Sequence, residues 1–235
     1  MSQQIQFPDD VKVEAITLGL EYPGQESLVS IYTGTRQVIN RNTGFWAGSM
    51  SIFPYENFAG GRISVAVMEA FIANLYGQNN WWQLDLSAIK YGGFLSLSDD
   101  TMFGVEVIDD GNGNTTSVAS VVKRADQSKI PREDLIGRYL VYADRLRQIV
   151  DVLEHNSVEV TSREYDDGTT TAAESGADVQ EIVCQPPLPA PVAVGEFNRT
   201  PILRMSYRGL DPLTTTRQGD LVNAWVIPFA EHIEP

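Results

Sequence analysis

Histidine, cysteine and clustered carboxylates are the residue types that most often carry chemistry, and this chain holds them sparingly. It has two histidines, His155 and His232, and a single cysteine, Cys184. A zinc centre gathers several ligands at short spacings, and a nucleophilic pair sets a serine or cysteine against a histidine that a third group orients. Neither histidine has a second ligand type four residues away, so either site would have to be assembled from isolated residues. Cys184 ends the run Glu181-Ile182-Val183-Cys184, a setting for a small buried hydrophobe rather than a thiolate. Asp110, Asn112 and Asn114 have the spacing that opens a calcium loop. The sixth position is then Thr115, where the sharp turn needs glycine, and the twelfth is Val121, where a bidentate glutamate belongs. No Walker, dinucleotide or nucleophile-elbow motif is present. A two-carboxylate glycan hydrolase needs one acid on each side of a glycosidic bond. With 31 acids some pair always exists, and Asp99/Asp100 and Asp166/Asp167 stand in turn-like sequence where solvation accounts for them. The residues therefore predict a protein with no catalytic centre, no metal and no cofactor.

The elements that would position any site read as almost entirely β. Val11 to Leu20 alternates Val11, Val13 and Ala15 with Lys12 and Glu14, the period of a half-buried strand. Ser27 to Tyr32 and Arg36 to Arg41 predict two short strands around Thr33-Gly34, and Phe45 to Phe53 a further one, with Trp46, Gly48, Met50 and Ile52 on one face. One helix interrupts the pattern. Ile63, Val67, Met68, Phe71, Ile72 and Leu75 recur at spacings of three and four, and Gly77 is placed to cap a helix over about residues 61–76. Trp81, Trp82, Leu84 and Leu86 return to strand, and successive tryptophans in one strand point to opposite faces.

Beyond Leu86 strands are expected at Met102 to Ile108 and Ser117 to Val122. The segment Asp109 to Asn114 forms the tip between them, because Asp, Asn and Gly tolerate positive φ. Gln127 to Glu133 reads as a connection. Gly137 to Tyr142, Leu146 to Val152, Ser157 to Arg163, Val179 to Cys184, Ile202 to Tyr207 and Leu221 to Phe229 complete the strands. Glu164 to Asp178, polar and rich in small residues, reads as a long mobile loop. Gln185 to Pro191 holds four prolines and should be extended. The fold class expected is mainly β, a β-sandwich or split barrel with one flanking helix. The 235 residues form a single β-rich chain or two β halves, 1–125 with the helix and 135–235.

Charge narrows the partners. The net charge is −14, with 13 acids against 5 bases in residues 1–117 and 18 against 12 in the remainder, so the excess is spread along the chain. Such a surface repels phosphate, which argues against nucleic-acid binding. Lys123 to Arg147 is locally basic, through Lys123, Arg124, Lys129, Arg132, Arg138, Arg145 and Arg147, and reads as a solvated or partner-facing surface. No apolar run is long enough to span a bilayer, and Met1 to Asp10 lacks the basic start and apolar stretch of a signal peptide, so no membrane partner is expected. One cysteine suits a reducing compartment, which leaves the sequons at Asn114 and Asn198 without meaning.

Taken in order, Phe45-Trp46-Ala47, then Ala70-Phe71-Ile72-Ala73-Asn74-Leu75-Tyr76-Gly77, then Trp81-Trp82-Gln83-Leu84 resemble the first half of a family of phage tail proteins. That family is the distal-tail or baseplate-hub type, related to the tail-tube fold. Gly137-Arg138-Tyr139-Leu140-Val141, Val183-Cys184-Gln185-Pro186-Pro187-Leu188, and Arg204 with Met205 resemble its second half. The likeness runs from about Ser27 to Trp225. It departs from the family where Pro189 follows Pro-Pro-Leu, and where Glu164 to Asp178 exceeds the length the pattern needs. The resemblance implies a structural virion protein of a tail tip or baseplate, made in the host cytoplasm. It implies a ring of copies of this chain joining the tail tube to distal or receptor-binding proteins. Asp109, Asp110, Asn112 and Asn114 of the hairpin, and Tyr165, Asp166 and Asp167 of the loop, are then the expected subunit-contact elements. The alternative from the residues alone is a carbohydrate-binding β-sandwich with Trp81, Trp82 and Tyr91 as a stacking platform, or, further off, the two-carboxylate hydrolase.

Overall fold

The structure, a computed structural model, describes residues 3–8, 11, 13–22, 27–29, 36–38, 44–52, 61–75, 80–89, 94–109, 114–208, 217–218, 221–222 and 225–233. Its strands are β1 (Val13–Glu21), β2 (Ser27–Val29), β3 (Arg36–Val38), β4 (Phe45–Ile52), β5 (Trp81–Asp85), β6 (Thr101–Asp109), β7 (Thr115–Lys123), β8 (Tyr139–Tyr142), β9 (Arg145–Tyr165), β10 (Thr170–Thr171), β11 (Glu174–Gln185), β12 (Phe197–Asn198), β13 (Ile202–Tyr207), β14 (Arg217–Gln218), β15 (Leu221–Val222) and β16 (Trp225–Glu231). The helices are α1 (Gly61–Leu75) and the single turn α2 (Arg132–Leu135). The chain is mainly β, built on antiparallel sheets of five and seven strands, sandwich-like and without a closed barrel among the described residues. Two compact units divide it: residues 1–93 with 202–235, and residues 94–201. The sequence suggested one chain or halves 1–125 and 135–235; the compact units divide at 93/94 and 201/202. The hairpin β6–β7 pairs with β9, whereas β13 and β16 return to pair with β5 and β4.

In the first unit the sheet runs β1-β4-β16-β13-β5. Period-2 alternation puts Trp46, Met50 and Ile52, then Trp225, Ile227 and Phe229, then Leu203 and Met205, and finally Trp82 on one buried face. Helix α1 lays Met68, Phe71, Ile72 and Leu75 on that face, with Phe71 meeting Trp82 edge-on at 5.8 Å between ring centroids. Val67, expected in the same stripe, lies at its rim and is 36% exposed; Gly77 lies outside the described residues. Gly48 lets β1 approach β4, since a Cβ there would sit 1.8 Å from the Thr17 carbonyl oxygen. A bulge between Val13 and Ala15 shifts the register of β1, so Ile16, Leu18 and Leu20 turn inward rather than Ala15. Strands β2 and β3 pair as the sequence suggests; Thr33-Gly34 between them is outside the described residues.

In the second unit one sheet folds over on itself. Its path is β12-β8-β9-β6-β7, with β10 and β11 also paired to β9. Strand β9 pairs with β8 over residues 145–148, with β11 over 148–160 and with β6 over 159–165, so one strand serves both layers. Between the layers lie Phe103, Ala119, Val121, Leu135, Leu140, Ile149, Val152, Ile182 and Cys184. The sequence suggested two strands, Leu146 to Val152 and Ser157 to Arg163. They are one, because Ser157 takes the bend at φ 55° while the Asp178 carboxylate accepts its N–H at 3.0 Å.

The long loop expected over Glu164 to Asp178 is instead a hairpin. Strand β9 continues to Tyr165, the chain turns at Asp166–Gly168, and β11 begins at Glu174. Gly168 supplies φ 83°, Asp167 Oδ1 accepts the Thr169 N–H at 2.8 Å, and Gly176 at φ 75° stands in a bulge of β11. The small polar residues lack the alternation of a strand, and they are ordered by pairing with β9 rather than by propensity. The four-proline segment follows β11 with no helix or strand through Pro191, and the buried Arg147 donates to the Pro186 and Pro187 carbonyl oxygens.

Candidate functional site

The hairpin β6–β7 carries apolar side chains on both faces, and on one of them a polar layer interrupts the packing. Met102, Val122 and Tyr165 pack at one end of this face, and Ile108, Val118, Val160, Ala177 and Val179 at the other. Between these clusters stand Gly104, Glu106 and Ser120 with Arg163. Gly104 is the register partner of both Ser120 and Tyr165, and a Cβ on it would meet Ser120 Oγ at 2.6 Å and the Tyr165 ring at 3.1 Å. Glycine is required here because the serine and the tyrosine ring occupy its side-chain space.

Glu106 and Arg163 are cross-strand partners, so their side chains leave the sheet together. Arg163 Nη2 lies 2.8 Å from Glu106 Oε2, and Nη1 lies 3.5 Å from Glu174 Oε2. Glu106 is 3% exposed, and a carboxylate that deep requires a partner. Burial works against the Arg163 cation, but the charge and hydrogen bond of Glu106, with Tyr165 and Glu174, together outweigh it and hold the guanidinium above its usual pKa. Burial likewise raises the Tyr165 hydroxyl, with the neighbouring Arg163 opposing.

These groups line a cleft of about 140 Å³ between β7 and β11, completed by Val122, Gln127, Lys129, Ala177, Asp178 and Gln180. Gln180 is fixed by two acceptors, its Nε2 donating to the Ile130 carbonyl and to Glu154 Oε1, both at 3.0 Å. Lys129 reaches the other oxygen of Glu154 at 2.8 Å, and that hydrogen bond holds the Glu154 carboxyl below its usual pKa. The arrangement does not suit glycoside hydrolysis, because a guanidinium bridges Glu106 and Glu174 where a scissile bond and a water would have to stand.

The residues singled out by sequence are not gathered in one place. Asp109 ends β6 and Asn114 is exposed just before β7, while Asp110 and Asn112 lie outside the described residues. Tyr165 pairs with Gly104, five residues before Asp109 on β6, roughly 17 Å away along the strand. Tyr165 is no surface contact either: it is 1% exposed and part of the core. Asp166 is an ion-pair partner of Arg199, with Arg124 at 4.0 Å. Asp167 is exposed and caps its own turn, which lowers its carboxyl pKa.

Several of the basic residues expected on a solvated or partner-facing surface have partners within the unit. Arg132 pairs with Asp151 at 2.6 Å, Arg138 donates to the Ser96 carbonyl at 2.7 Å, and Arg147 is buried. His155 Nε2 lies 2.7 Å from Glu181 Oε2, and His232 stacks on Trp81 at 5.5 Å. Among the described residues no group of three or more His, Cys, Asp or Glu is placed to hold a metal ion. Burial pushes the Cys184 thiol up to about 12, with Arg147 opposing, which disfavours the thiolate. Trp81 and Trp82 are both buried, Trp81 beneath His232 and the Arg204 guanidinium, so neither offers an open ring face for sugar stacking. Tyr91 lies outside the described residues.

Glu106, Ser120, Arg163 and Gln180 are not among the residues singled out by sequence. A signal for the first two was present: one glutamate in Met102-Phe103-Gly104-Val105-Glu106-Val107-Ile108, and one serine in Val118-Ala119-Ser120-Val121-Val122. A lone polar residue in a strand apolar on both faces is buried and needs a partner. No helix among the described residues is long and apolar enough to cross a membrane. No family model matches the sequence, and no curated protein matches it.

Proposed function

We propose that this chain is a structural subunit of a phage tail tip or baseplate, without enzymatic activity. Copies of it assemble into a ring that joins the tail tube to distal or receptor-binding proteins. One observation carries the reading: most of the segments that resemble the distal-tail family lie, in order, in a strand, a helix and further strands, with Gly137 and Arg138 just ahead of theirs. Phe45-Trp46-Ala47 opens β4, Ala70 to Leu75 ends α1 with its apolar stripe on a sheet, and Trp81 to Leu84 lie in β5. Tyr139-Leu140-Val141 lie in β8, Pro186-Pro187-Leu188 follow β11 directly, and Arg204-Met205 lie in β13. Physical chemistry supports the same role. An acidic wall keeps DNA from adhering to a conduit, and a ring subunit needs strand edges and hairpins rather than a catalytic cleft.

The test is the native mass of the purified chain across a concentration series, by native mass spectrometry and light scattering. A discrete trimer or hexamer is expected. A monomer at every concentration, together with retention on a glycan column, would replace this reading with the carbohydrate-binding one.

A further inference from the structure

The polar cleft of the second unit has a chemistry that ring assembly does not use. Ser120 is fully buried and Gln180 is 4% exposed, and both line the cleft. Ser120 Oγ, Gln180 Oε1 and Arg163 Nε are buried and have no hydrogen-bond partner within the chain, and Glu106 Oε2 beside them has only its ion pair with Arg163 Nη2 at 2.8 Å. Buried polar atoms are almost always satisfied, so three such atoms around one space define what belongs there. Gln180 Oε1 accepts only, and the amide cannot turn over because both acceptors of Nε2 hold it. Arg163 Nε donates only, and Ser120 Oγ does either. An occupant must therefore donate to one group and accept from another within the same small volume.

Charge narrows the choice. Glu106, Glu174 and Asp178 face the cleft against Arg163 and Lys129, and Lys129 is paired with Glu154. An anion would meet three carboxylates and could not donate to Gln180. An ammonium would leave Arg163 Nε without an acceptor and meet the guanidinium charge. A neutral hydroxyl both donates and accepts, and the Tyr165 ring gives carbon-bound hydrogens an apolar wall. The volume, about 140 Å³, is close to the ~150 Å³ engineered cavity that holds benzene, the size of a six-heavy-atom ligand.

We propose that the cleft between β7 and β11 binds a small neutral polyol, a glycerol-like unit or part of a single sugar ring, through Ser120, Arg163 and Gln180. The test is a heteronuclear NMR titration of the full chain with four probes: glycerol, D-glucose, acetate and ethylammonium. Saturable shifts of the Ser120, Arg163 and Gln180 amides with glycerol or glucose, and none with the two ions, are expected. Ser120→Ala should weaken that binding about fivefold, the loss of one hydrogen bond, while the exposed-turn variant Asp167→Asn leaves it unchanged. The idea fails if no probe gives saturable shifts, if acetate or ethylammonium binds as well as the polyols, or if Ser120→Ala binds like the parent. Water alone occupies the cleft in the first case. The ranking of probes on the parent chain decides the matter even if Ser120→Ala does not fold.

Discussion

The two units bury their interiors by different means. The first closes one sheet face with a helix, and Trp46, Met68, Phe71, Trp82, Trp225 and Phe229 fill the space between. Among the described residues the one charged side chain buried there, Glu231, accepts the Trp46 N–H at 3.3 Å. The second unit folds a sheet over itself and sets a carboxylate and a guanidinium between two apolar clusters. An apolar face on an amphipathic helix can be closed by matching shape alone. A sheet that folds back without closing a barrel leaves a gap between its end strands, and polar side chains fill it where water can enter. The candidate site accordingly lies in the second unit.

The comparison can be probed unit by unit, because all four tryptophans belong to the first and the single cysteine to the second. Tryptophan fluorescence follows one, and Cys184 alkylation the other. The largest effect is expected from Trp82→Ala, which empties the contact between helix and sheet. It should move the fluorescence transition in urea by about 3–5 kcal/mol. A shift below ~1 kcal/mol, smaller than typical core truncations, would mean that the helix is not what closes this core.

Glu106→Ala should expose Cys184 to alkylator at lower urea, at a cost of about 3 kcal/mol, because Arg163 is left with a buried charge. Replacing both partners, Glu106→Leu with Arg163→Met, should recover most of that loss while abolishing the polar layer. If the single variant is neutral, the pair is solvated and the contrast between the units disappears. Gly104→Ala comes next. Its Cβ would press on Ser120 Oγ and the Tyr165 ring, for a loss of about 1–3 kcal/mol read by Cys184 protection.

The remaining effect is one of pH. The folded pKa of Cys184 is raised to about 12 from an ordinary 9.0. The folded state therefore holds the thiol proton more tightly than the unfolded chain does. The associated stability is complete below pH 9 and falls as pH rises from there toward 12, by up to about 1.4 kcal/mol per pH unit. The alkaline slope in the urea midpoint of the second unit should flatten in Cys184→Ala. An unchanged slope would mean that the thiol is not desolvated.

Much of the fold was legible because element type is a local property. The 3.6-residue stripe from Met68 to Leu75, the alternation in β4 and β16, and the Asp-Gly-Asn run between β6 and β7 are each written within a few turns of chain. Local signals also misled. The segment over Glu164 to Asp178 reads as a loop because its residues have no strand period, and Tyr165 reads as part of that loop. Partner β9 imposes the strand on β11, and Gly104 opens the space that draws Tyr165 inward.

By itself the sequence determined the strand-rich class, the long helix and its buried face, the acidic balance and the buried cysteine. These follow from side-chain period, transfer of apolar groups and charge count, none of which needs a partner strand. Only the tertiary structure decided that Glu106 meets Arg163, that Ser120 and Gln180 line one cleft with them, and that the chain leaves the first sheet after β5 and rejoins it at β13. Those facts depend on which strands pair and in what register. A register is fixed by the sum of many distant contacts, and a slip of one residue would send every one of these side chains to the other face.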